Sequence, residues 1–153
     1  MLQRDLKQRR PFASREEEAY LNLVRTADLL SREVAAVLKR HQLSEAQYNV
    51  LRILRGASQA GVTCREIGER MIHRDPDVTR LLDRLVEQGL ATRQRDERDR
   101  RVVVTRITDE ARELLRRVDP HLDGVVRRTL GPLGEPRLRR LAALLQSARE
   151  LVP

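Results

Sequence analysis

DPDVTRLLDRLVEQGLATRQRDERDRRVVVTRIT, residues 75 to 108, is the stretch that decides the fold. Asp75 offers a capping acceptor and Pro76 suits a first helical position, so a helix is expected to open there. Val78, Leu81, Leu82, Leu85 and Val86 fall on one side of that helix, and Gly89 supplies its stop. Two β-prone runs follow, Leu90 to Arg95 and Arg101 to Ile107, joined by a charged loop; together they read as a hairpin. A helix able to enter a groove thus stands beside a hairpin whose tip carries cations.

Working outward, residues 1 to 13 are polar and basic, broken by Pro11, and read as a mobile arm. Ser14 with Glu17 forms a capping-box pattern opening a long helix that runs to about His41. Along it Tyr20, Leu23, Ala27, Leu30, Val34 and Val37 recur in steps of three and four. Ser44 with Gln47 opens a shorter helix, and Thr63 with Glu66 opens a third, beyond a loop punctuated by Gly56 and Gly61. After the hairpin, Thr108 caps a fifth helix with Ala111, Leu115, Val118, Leu122 and Val125 on one strip, in which Pro120 and Gly124 predict a kink. The segment from Gly131 to Pro136 breaks it, and a last helix carries Leu138, Leu141, Leu145, Ala148 and Val152. The apolar strips at the two chain ends exceed what the small middle can cover, so both termini are expected to pair with a second copy.

Composition narrows the function. With 153 residues the chain makes one domain with extensions, and 31 Lys and Arg against 23 Asp and Glu leave a net charge of +8, which favours polyanions. Arg supplies nearly all of the cations, matching planar acceptors such as phosphate and guanine edges. Phe12, Tyr20 and Tyr48 are the only aromatic residues, too few for a platform that stacks single-stranded bases. The single Cys64 excludes an internal disulfide and fits a reducing cytoplasm. Neither a signal peptide nor an apolar run of membrane-spanning length is present, so no membrane partner is expected. His41, His73 and His121 lack ligand spacing, so neither a metal nor another cofactor is assigned.

A helix in the DNA major groove presents its N-terminal residues to base edges. The helix opening at Asp75 offers Asp77, Thr79, Arg80, Asp83 and Arg84 near its start, with Arg80 and Arg84 one turn apart. The alternative for this face is solvated charge, with Arg80 pairing Asp83. The hairpin favours the first reading: Arg93, Arg95, Arg98, Arg100, Arg101 and Arg106 crowd a short stretch, interleaved with Asp96, Glu97 and Asp99. An Asp two residues before an Arg can hold the guanidinium in one orientation for a narrow groove.

LSEAQYNVLRIL, VTCREIGERM and VTRLLDRLVEQGLATRQRDERDRRVVVTRIT together resemble the MarR family of bacterial transcriptional regulators, over roughly residues 15 to 150. That resemblance implies a mainly α fold with a small β-hairpin wing: a winged helix-turn-helix at 43–108 and a helical dimerisation region at 14–42 and 109–153. It implies a homodimer on a pseudo-palindromic operator in double-stranded DNA, with Arg101 entering the minor groove, Asp99 orienting it, and Thr79, Arg80 and Arg84 reading bases and phosphates. Arg98 and Arg100 complete the wing's cations, and Asp77 is placed either to accept from a cytosine amino group or simply to favour the positive helix end. The resemblance also implies a crevice for a small anionic aromatic effector, for which Tyr20, Arg25, His41, Tyr48 and Arg52 are the polar-tipped candidates. The expected function is a sequence-specific repressor relieved by a ligand. The alternative is a winged-helix module that binds an acidic protein and no specific DNA site. An enzyme is not expected: no glycine-rich phosphate loop, HExxH or Ser-His-Asp setting occurs.

Overall fold

The computed structural model describes residues 7, 10–57, 60–73, 77–96 and 99–152. Helix α1 spans Arg15–Arg40, α2 Glu45–Arg55, α3 Cys64–Arg70, α4 Val78–Glu87, α5 Asp109–Leu130 and α6 Glu135–Glu150, with a 3-10 turn at Gly131–Leu133. Strands β1 (Val62–Thr63), β2 (Ala91–Arg95) and β3 (Val103–Ile107) form an antiparallel sheet in the order β1-β3-β2. The hairpin is therefore one strand larger than the sequence indicates: Val62 pairs with Thr105, and Thr63 with Val104. Two residues are too short to show the alternation by which a strand is recognised.

The helix boundaries follow from local chemistry. Ser44 and Thr63 each close a complete capping box, with Gln47 and Glu66 respectively, and Thr108 Oγ1 accepts the Ala111 N–H. At α1, Ser14 accepts the Glu17 N–H as expected, but the Glu17 carboxylate reaches back to the N–H of Ala13. Helix α4 corrects the sequence reading. Its N-cap is Asp77, whose Oδ1 accepts the Arg80 N–H at 3.0 Å, so the helix starts at Val78 and not at Pro76. Asp75 and Pro76 lie outside the described residues.

Helix α4 ends as Gly89 implies. With φ +70, Gly89 lets its N–H reach the Val86 carbonyl while the Leu90 N–H reaches that of Leu85, and both Leu85 and Leu90 are buried. Gln42 takes the same left-handed place after α1, with φ 58. Pro120 and Gly124 do not interrupt α5, which is continuous from Asp109 to Leu130. The break comes at Gly131–Leu133 and Gly134, where φ is +73.

One hydrophobic core joins α1 to α5 and the sheet, and takes no residue from α6. Leu38 near the end of α1, Leu43 between α1 and α2, Val50, Leu51 and Leu54 of α2, Ile67 of α3, Leu82 and Leu85 of α4, and Leu115 and Val118 of α5 belong to one cluster. The three terminal strips then separate in behaviour. Ala111, Leu115, Val118, Leu122 and Val125 of α5 are all buried within the chain. The first half of the α1 strip is not: Tyr20 is 63% exposed and Leu23 48%. Helix α6 buries no residue at all, and Leu144 is 60% exposed.

Candidate nucleic-acid interface

Helix α4 turns Leu81, Leu82 and Leu85 into the core and leaves Thr79, Arg80, Asp83 and Arg84 exposed. The exposed side divides into two rows. Thr79 and Asp83, one turn apart, are occupied by neighbours: the Arg93 guanidinium of β2 donates through Nη1 to Asp83 Oδ1 and through Nη2 to the Thr79 carbonyl at 3.2 Å. The Thr79 hydroxyl lies 3.6 Å from the Cys64 thiol at the start of α3. Arg80 and Arg84, also one turn apart, form the second row. Asp83 thus pairs across to the hairpin and not along its own helix with Arg80. Asp77 spends one carboxylate oxygen on the helix cap.

The connection between α3 and α4 is held from below. Asn49 of α2 accepts the Ile72 N–H through its side-chain oxygen at 2.8 Å. Gln47, almost buried, donates to the Gln88 side chain at the far end of α4. These two bonds tie α2 to both ends of the segment that presents Arg80 and Arg84.

The hairpin's arginines have unlike roles. Arg93 is committed to α4, and Arg106 is tied to the Gln94 side chain at 2.7 Å and to the Ala60 carbonyl at 3.0 Å. Arg95, Arg100 and Arg101 are exposed toward the tip. Arg98 and Glu97 lie outside the described residues. The acidic residues act differently from the sequence reading. Asp99 Oδ1 accepts the backbone N–H of Arg101 at 2.9 Å, and Asp96 Oδ1 accepts that of Asp99 at 3.1 Å. The Asp96 N–H meets the Val102 carbonyl and the Val102 N–H the Asp99 carbonyl, closing the turn. Asp99 therefore holds Arg101 by its backbone, and among the described residues no acceptor takes its guanidinium.

The five effector candidates do not form one site. Tyr48 and Arg52 do meet, with the guanidinium 5.9 Å from the ring centroid. The Tyr48 hydroxyl donates to Asp119 of α5 at 2.8 Å, and Arg55 donates to the other oxygen of Asp119 at 2.5 Å. His41 stands against His121 of α5, their rings 5.6 Å apart. Tyr20 is exposed on the first half of α1, and Arg25 pairs with Asp28 of the same helix at 3.4 Å. Asp119 and His121 were missed because they act from α5, and Arg55 because its partner Asp119 lies 64 residues away in sequence.

Burial of Tyr48, with the hydrogen bond to Asp119 and its negative charge, pushes the phenol up to about 12 from an ordinary 10. The folded state thus keeps its proton where the unfolded chain has lost it, so stability contributed by this hydroxyl is fully present below pH 10. It is expected to fall as pH rises from about 10 to about 12. In Tyr48→Phe that part of the alkaline decline should vanish from urea melts taken across this window; an identical decline would place its origin elsewhere.

Known proteins resemble this chain in sequence and fold. A family model described as the MarR family matches residues 41–102. The regulator PecS of Dickeya dadantii is 32% identical over 126 residues, covering 80% of this chain and 75% of its own. The regulator TtmR of Methylorubrum extorquens is 35% identical over 100 residues, which are 64% of this chain and only 50% of TtmR. The crystal structure of a MarR transcription factor from Planctomyces limnophilus is 36% identical, with a TM-score of 0.68, covering 89% of this chain and 98% of that one. Sco3205 of Streptomyces coelicolor, a MarR family regulator solved in complex with DNA, shares the fold at a TM-score of 0.81 and 23% identity, over 94% of this chain and 93% of its own. Taken with the helix pair, the three-stranded sheet and the arginine-tipped hairpin, these matches show that the chain belongs to the MarR family of transcriptional regulators.

Proposed function

We propose that this protein is a homodimeric repressor that reads a pseudo-palindromic site in double-stranded DNA. The observation that carries the reading is the pair of exposed arginine sets, Arg80 with Arg84 on α4 and Arg100 with Arg101 at the hairpin tip, joined through the Arg93 brace. The first set suits base edges and a phosphate of the major groove, and the second suits a narrow minor groove. The DNA complex of Sco3205 supports the same reading for a chain of this fold. Selection of duplexes from a random pool should recover an inverted repeat with half-site centres about 34–36 Å apart. Survivors without a shared sequence would favour a module that binds acidic protein.

The exposed apolar residues of α1 and α6 support the dimer. Leu23 and Leu144 stand in water in the single chain: Leu23 continues an α1 strip whose Val34 and Val37 pack against the core, and Leu144 lies on a helix with no buried residue. Leu144→Glu should therefore halve the mass measured in solution at micromolar concentration while leaving the helical content intact, because nothing in α6 is buried within its own chain. A wild-type chain that runs as a monomer would remove the dimer from the proposal.

For release from DNA we assign a small anionic aromatic ligand to the Tyr48–Arg52 face. Arg52 is an exposed guanidinium beside an aromatic ring, and the neighbouring Arg55–Asp119 pair bridges α2 to α5. A ligand that draws on these groups biases how the α4-bearing part sits on α5, and hence the spacing of two readers.

A further inference from the structure

We propose that Arg93 and Asp83 form a clamp that positions the reading helix against the hairpin, so that α4 and the wing meet DNA as one body. This rests on the DNA-reading function argued above. The clamp has two points of attachment on one row of α4. Arg93 Nη1 donates to the Asp83 carboxylate and Nη2 to the Thr79 carbonyl at 3.2 Å, so one guanidinium spans the first turn of the helix. Its planar fork fixes direction as well as distance. Arg93 is among the less exposed arginines, with 27% of its side chain accessible against 49% for Asp83.

The sheet carries the constraint outward. Arg93 sits opposite Thr105 in the β2–β3 ladder, and Arg95 opposite Val103, on the way to the tip that bears Arg100 and Arg101. On the other side, Thr79 is the residue just before Arg80, so holding its carbonyl fixes the start of the row that reads. Arg93 and Asp83 are thus positioning residues, and Arg93 is a cation withdrawn from the phosphate inventory.

Charge and position make opposite demands on Asp83, which makes the clamp testable. Asp83→Asn removes a negative charge from a face that meets a polyanion, so charge alone makes every duplex bind more tightly. The clamp requires a loss instead, confined to the preferred sequence. Affinities of the full-length protein for its selected duplex and for a scrambled duplex of equal length are compared at one salt concentration. In Asp83→Asn the ratio of the two should fall about tenfold or more, the scrambled duplex binding at least as well as before. Arg93→Lys, which keeps the charge but loses the fork, should lower the ratio in the same direction by a smaller factor. It also carries the test if Asp83→Asn fails to give a cooperative thermal melt. An unchanged ratio in Arg93→Lys, or equal tightening on both duplexes in Asp83→Asn, would overturn the clamp and leave the DNA-reading function standing. A wild-type protein with no preference between the duplexes would overturn that function itself, and the clamp with it.

Discussion

Leu82→Ala should lower the free energy of unfolding by about 2–5 kcal/mol, the cost of deleting a fully buried leucine whose neighbours relax only in part. Leu82 is 0% exposed and sits between Leu81 and Leu85 on the inward row of α4. Those side chains face the cluster that also holds Val50, Leu51 and Ile67. A domain of this size holds about 5–15 kcal/mol in all, so the loss is a large share of the total. Urea denaturation followed by circular dichroism measures it. The exposed neighbour Arg84 provides the contrast: Arg84→Ala removes no core contact and should change stability by less than about 0.5 kcal/mol. A Leu82→Ala loss no larger than that of Arg84→Ala would mean that α4 is not anchored through this row.

Arg101→Ala should weaken binding to the selected duplex by about 1–3 kcal/mol, the cost of one specific groove contact. The expectation rests on the tip geometry. Asp96 and Asp99 use their carboxylates to hold the turn, so Arg101 leaves a defined backbone with an exposed side chain that no described residue engages. A side chain that merely touched phosphate would cost affinity uniformly across sequences and reduce the salt slope by about one ion. A groove contact costs more on the selected duplex than on a scrambled one, and Arg101→Lys restores only part of it, because an ammonium lacks the flat, weakly hydrated fork. Titrations of the variants at several salt concentrations separate the two. Unchanged affinity in Arg101→Ala would take the wing out of the mechanism. Asp99→Ala gives an indirect version of the same loss, through disorder of the turn and not through charge.

Much of this architecture is readable in the chain because it is written in local chemistry. Ser44, Thr63 and Thr108 cap helices at the residues their sequence neighbours imply, and Gly89 stops α4 through a left-handed conformation that glycine adopts without a Cβ clash. What was not readable depends on partners distant in sequence. Strand β1 exists because β3 is there to pair with it. Asp119 acquires meaning only when Tyr48 and Arg55 arrive from α2. Arg93 and Arg101 look alike in sequence, yet β2 hands one to Asp83 while the turn leaves the other exposed. The start of α4 shows competition between two acceptors that sequence rules cannot rank: Asp75 precedes a proline, but Asp77 makes the cap. The terminal strips share one pattern and still diverge, α5 buried within the chain and α6 left in water.

In the function we propose, Arg80, Arg84 and the arginine-tipped wing read sequence in double-stranded DNA. The ratio of affinities of the wild-type protein for its selected duplex and for a scrambled duplex of the same length and composition, at one physiological salt concentration, tests it most directly. Sequence reading by these residues predicts a preference of about a thousandfold or more. Equal affinity for the two duplexes would contradict it.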